Sequence, residues 1–169
     1  MFDLIAGLPL HPLIVHAVVV LAPLAALLAL AYVALPARQA LLRWPLAALA
    51  VIAGGSAVVA DQSGEALQHR LESAGLESDL IETHAEIGEA TTVVTVLFML
   101  FALACVLFAL RPTTAAKRGG ALRVVSSIVL AGLSLGVLYQ VVLAGHSGAT
   151  AVWKDVASIT VTGGDGDDD

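Results

Sequence analysis

Residues 11–35 read HPLIVHAVVVLAPLAALLALAYVAL, without one Asp, Glu, Lys or Arg. About 20 apolar residues, rising about 1.5 Å each, suffice to cross the hydrocarbon core of a bilayer, so Leu13 to Leu35 reads as a membrane span. Pro12 suits a first helical turn, where its missing N–H removes no bond. Pro23 lies mid-span and removes the bond to the Val19 carbonyl, which predicts a kink. Three more runs share this character: Pro45 to Ala60, short and rich in small residues around Gly54-Gly55-Ser56; about Ala90 to Leu110; and Val124 to Ala144. The expectation is an all-α, integral-membrane four-helix bundle.

Composition agrees. The chain is 59% hydrophobic and 13% charged, with a mean hydropathy of +0.92. A water-soluble domain keeps about a quarter of its residues charged, so much of this surface is expected to face lipid. The lone Cys105 lies in an apolar run, and no CxxC framework is present. The start, Met1-Phe2-Asp3, is acidic where a cleavable signal would be basic, so the first span is expected to stay in the mature protein.

Charge placement gives a sided expectation. The connection between spans one and two holds Arg38 and Arg43; that between spans three and four holds Arg111, Lys117, Arg118 and Arg123. Neither holds an acid. All 14 carboxylates lie elsewhere, at Asp3, from Asp61 to Glu89, and from Asp155 onward. By the positive-inside rule the basic connections are cytoplasmic and both termini are not.

The four-span domain is expected to cover residues 1–153, followed by an acidic, disordered tail over 154–169. In the connection between spans two and three, Glu65 to Ala74 reads as a short amphipathic helix ended by Gly75, with Gly64 as a break before it. Ser78 could cap the next helix, which would run through His84 into span three. No internal repeat is evident.

All five histidines, His11, His16, His69, His84 and His146, fall at the expected non-cytoplasmic end. Ionisable groups in a membrane are costly and mark paired or functional positions. On span one His16, Val20 and Pro23 share a face, with His11 as a cap able to turn inward. His84, Gly88, Thr91, Thr92 and Thr95 form a small or polar stripe expected to face other helices. On span four Gly132, Tyr139 and His146 share a face at seven-residue spacing, and Gly132 and Gly136 form a small-xxx-small pair.

The motifs His11-Pro-Leu-Ile-Val-His16, Gln62-Ser63-Gly64-Glu65, His84-Ala-Glu-Ile-Gly88 and Gly145-His146-Ser147-Gly148-Ala149 with Val152-Trp153 resemble a bacterial membrane family known as domain of unknown function 2231. The resemblance runs from Leu8 to Trp153. It implies a four-helix protein of the bacterial plasma membrane with histidines near one face, and no settled activity. Relatives joined to Rieske-type iron–sulfur domains point by association to redox chemistry. Many members carry an aromatic after the second His, where this chain has Ala17, so no role of that ring carries over.

Imidazole is an axial haem ligand and a common ligand for transition metals. The leading expectation is therefore haem b held by His16 with His84 or His146, with His11 as a further ligand. Gly88, Gly132 and Gly136 would give room for the macrocycle. A Zn, Cu or Fe ion on His16, His84, His146 and Glu65 is the alternative. Asp61, Ser63, Tyr139 and Ser147 are candidates for orienting the rings. His69, on an acidic helix, reads as a solvated surface residue. Two readings from other classes stand beside this one. The histidines and carboxylates could be only a hydrogen-bonded cap on a structural or assembly subunit. A metal-dependent membrane hydrolase could use Glu65 as general base near Ser63 and Ser147, although no recognisable catalytic motif is present. The expected partners are the lipid bilayer and, at the acidic non-cytoplasmic face, a redox protein. The few basic residues sit in two short loops, which argues against nucleic acid.

Overall fold

The computed structural model describes residues 4–5, 7–76, 78–110 and 120–157. A two-residue antiparallel ladder, β1 (Leu4–Ile5) with β2 (Leu8–Pro9), turns at Gly7, whose φ of 83° suits glycine. Four long helices follow: α1 (Leu10–Ala34), α2 (Gln39–Ser73), α3 (Asp79–Ala104) and α4 (Gly120–Ala157). A 3-10 turn at Pro36–Arg38 joins α1 to α2, and a π-helical turn at Cys105–Ala109 extends α3. All four helices are long and apolar enough to cross a membrane. Helices α1 and α3 each pack against both α2 and α4, closing an all-α four-helix bundle.

Small side chains set the packing. Ala22, Ala25, Ala26 and Ala29 on α1, with Ala50 and Ala53 on α2, are fully buried. Lipid tails are as apolar as the bundle core, so helices associate by close backbone approach, which alanine permits. Larger apolar side chains such as Leu24, Ile52, Leu100 and Ile128 are exposed on the outside, as lipid contact requires. The threonine stripe of α3 faces inward as expected. Thr92 donates to the Ala57 carbonyl of α2 at 3.2 Å, Thr91 reaches the Gln140 carbonyl of α4 at 3.4 Å, and Thr95 is fully buried.

Several boundaries differ from the sequence expectation. Helix α1 begins at Leu10 with Pro9 in the N-cap position, so His11 belongs to the first turn instead of capping it. Gly64 does not break α2, and the amphipathic segment 65–74 is its last turns, not a separate helix. An interior glycine costs about 1 kcal/mol relative to alanine, and here its bare Cα receives a neighbouring ring, described below. Gly75, with φ of 70°, ends α2 as expected. Ser78 precedes α3 in an extended conformation but makes no side-chain cap bond. Helix α4 continues past Trp153 to Ala157, into the segment expected to be a tail. The acidic residues 165–169 and the basic residues 111–118 lie outside the described residues.

Candidate functional site

The four histidine-bearing helix ends meet around a groove of about 650 Å³, within the roughly 300–1,000 Å³ of small-molecule and cofactor sites. Its lining is mostly apolar and small, including Ala57, Ala60, Gly64, Gly88, Ala144 and Gly148, with His11, His84 and Asp61 among the few polar side chains. Leu67, Leu71, Val152 and Trp153 extend the wall.

His11, in the first turn of α1, crosses to α2. Its Nδ1 lies 2.8 Å from the Ala60 carbonyl. A carbonyl only accepts, so Nδ1 carries the proton and Nε2 keeps its lone pair. Residue 64 sits one turn above that carbonyl, and a Cβ there would lie 3.0 Å from His11 Cε1 and Nδ1. Glycine at 64 therefore keeps the carbonyl open to the ring.

The same construction recurs on the other helix pair. His84, in the second turn of α3, crosses to α4, where its Nδ1 lies 2.9 Å from Ser147 Oγ. That hydroxyl donates to the Ala144 carbonyl at 3.1 Å, so it accepts from His84 Nδ1–H. The His84 lone pair is thus also on Nε2. A Cβ at Gly148 would lie 3.0 Å from His84 Cε1. Ser63 repeats the role of Ser147 in part, donating to the Ala60 carbonyl at 3.0 Å. Ala60-Asp-Gln-Ser63-Gly64 and Ala144-Gly-His-Ser147-Gly148 are therefore matched A-x-x-S-G seats, one for each histidine. The two rings meet edge to face, with centroids 6.1 Å apart and planes at 78°. Among the described residues neither Nε2 has a hydrogen-bond partner.

The other candidates lie elsewhere. His16 is exposed at the groove's rim and turns back on its own helix, Nδ1–H donating to the Pro12 carbonyl. Its face of α1 points outward, with Val20 63% exposed. His146 is exposed and does not line the groove. The face it shares with Gly132 and Tyr139 points away from the bundle, Tyr139 being 65% exposed. The buried face of α4 instead carries Leu130, Ser134, Val137 and Val141. Of the glycines expected to make room, Gly88 lines the groove; Gly136 packs against Val94 at 3.5 Å from its notional Cβ, and Gly132 has nothing within 4 Å. Glu65 is exposed at the rim, and Asp61 is half-buried in the wall. His69 is 82% exposed beside Glu72. Among the described residues no three His, Cys, Asp or Glu side chains converge as an ion site requires. The set His16, His84, His146 and Glu65 is not brought together, because two of its helices present those histidines outward. The sequence reading missed Ala60, Gly64, Ala144 and Gly148. The signal available was the A-x-x-S-G pattern, present twice.

A family model described as "Predicted membrane protein (DUF2231)" matches residues 7–161. No curated protein and no solved structure matches the chain.

Proposed function

The chain belongs to the DUF2231 family of membrane proteins, and we propose that it binds one haem b at the histidine end of its bundle, where His11 and His84 would hold it. The observation that carries this reading is the pair of seated imidazoles. Each is held at Nδ1 by a neighbouring helix, which is how protein structures fix the tautomer and aim of a metal-binding histidine. Each keeps Nε2 free beside one apolar groove. Matched seats on two helix pairs also suit a symmetric, two-ligand site better than a three- or four-ligand ion.

Bound there, haem would supply one-electron chemistry. The chain's own His11 and His84 would hold it, and the apolar wall below the groove's rim would exclude water. On the sidedness read from charge, that rim faces the non-cytoplasmic side of the bacterial plasma membrane, where a redox protein could approach. A titration of detergent-purified protein with haemin tests this. Saturation at one equivalent per chain, with sharp low-spin bands on reduction, supports it; featureless, non-saturating absorbance counts against it.

A second reading has its own observation. Edge-to-face rings at 4.5–7 Å are also an ordinary packing contact, and both Nδ1 atoms are already satisfied. The same residues would then be a cap that locks the four helices together, and removing either ring would lower stability without altering any spectrum.

A further inference from the structure

We propose that the opposite, basic end of the bundle binds the phosphate headgroup of an anionic phospholipid against Arg43 of α2 and Arg123 of α4. A buried polar chain leads there. The Tyr32 hydroxyl donates to the Leu110 carbonyl at 3.1 Å, Gln39 Nε2 donates to the Tyr32 carbonyl at 3.0 Å, and Arg123 Nη2 donates to Gln39 Oε1 at 3.4 Å. Gln39 is 3% exposed. This chain satisfies one guanidinium nitrogen and leaves two others, Arg43 Nε and Arg123 Nη1, buried without a hydrogen-bond partner among the described residues. A buried donor, above all a cationic one, demands an acceptor.

The described residues around this end include no carboxylate. No Asp or Glu occurs from residue 4 to 60 or from 90 to 154, so every acid in the sequence belongs to the far end or to the two termini. Among the described residues no counter-charge is offered to these donors, and guanidinium groups suit phosphate oxygens in particular. An acyl chain has a place beside them. Arg43 lies over the Trp44 ring at 4.6 Å, and Trp44 heads an apolar, lipid-facing trough of about 500 Å³ formed with Ala47, Ala48, Val51, Ile52 and Leu103. Basic pockets between membrane helices bind anionic headgroups in this way. A free phosphate would use the guanidinium donors and leave the trough without purpose, so the lipid is the occupant assigned.

The test uses the full chain in phosphatidylcholine nanodiscs with and without phosphatidylglycerol, reading retained lipid by native mass spectrometry and unfolding temperature in parallel. Phosphatidylglycerol should be retained selectively and raise the unfolding temperature. Arg43→Gln and Arg123→Gln should each weaken its retention roughly tenfold or more, the loss of a charged hydrogen bond. Inorganic phosphate added to phosphatidylcholine discs should reproduce neither effect. Equal retention of the two lipids by the unmodified protein would overturn the proposal without reliance on any variant, and full stabilisation by inorganic phosphate alone would overturn the lipid assignment.

Discussion

His11 and His84 come from helices that begin 69 residues apart, yet their rings stand edge to face with centroids 6.1 Å apart. Each is seated on a Ser-Gly turn of a different partner helix, so the pair is set by two independent helix–helix contacts. A simple surface cluster would not need this construction. The bundle fixes two nitrogen lone pairs beside one groove.

The glycine seats make the first prediction. Gly64→Ala and Gly148→Ala each put a methyl group 3.0 Å from a histidine ring, so the ring must shift by a few tenths of an ångström from its anchor. A ring moved off its anchor loses its fixed aim, and such losses cost metal sites about 10–100-fold in affinity, the drop expected in a haemin titration. Gly132→Ala, with nothing within 4 Å of its notional Cβ and a position outside the groove, should bind nearly as the parent does.

Ser147→Ala removes the oxygen that accepts from His84 Nδ1. Loss of such an orienting partner costs metal sites about 10–100-fold in affinity. The same range is expected here, with Ser147→Thr restoring most of it. Binding unchanged by Ser147→Ala would mean that the hydroxyl does not hold the ring.

Packing between α2 and α3 should be most sensitive at Gly54, where a Cβ would lie 2.5 Å from Met99 Sδ and 3.0 Å from Met99 Cβ. Gly54→Ala is expected to destabilise the bundle by about 1–3 kcal/mol. Gly55→Ala, open on all sides, should be neutral or slightly stabilising. Thermal unfolding in detergent compares the two directly.

Sidedness can be read with single cysteines in a Cys105→Ser background. Ser73 and Ala37 are both exposed, at the histidine and basic ends respectively. Ser73→Cys should react with a membrane-impermeant maleimide on intact cells, and Ala37→Cys only after permeabilisation. The reverse pattern would place the groove in the cytoplasm.

The spans were legible because an uncharged run as long as 11–35 has few alternatives, and Gly75 marked a helix end because its backbone conformation favours glycine. Helix rotation was harder to read. Lipid and bundle core are equally apolar, so the seven-residue spacing of Gly132, Tyr139 and His146 could not say which way that face pointed; the small polar Ser134 on the opposite side was the better guide. Gly64 suggested a break because sequence shows the cost of an interior glycine but not the His11 ring that occupies its space. The His84–Ser147 bond joins two residues both singled out as site candidates, but His11 finds its anchor in a backbone carbonyl 49 positions away. No side-chain pattern displays that partner.

The most direct test is the visible spectrum of protein purified in detergent from cells supplied with haem, with the haem-to-protein ratio measured on the same sample. A Soret band that sharpens and shifts on reduction is expected, at about one haem per chain. That band should be lost in His11→Ala and in His84→Ala, and retained in His16→Ala and His146→Ala. A colourless parent protein, or a spectrum untouched by removing both His11 and His84, would contradict it.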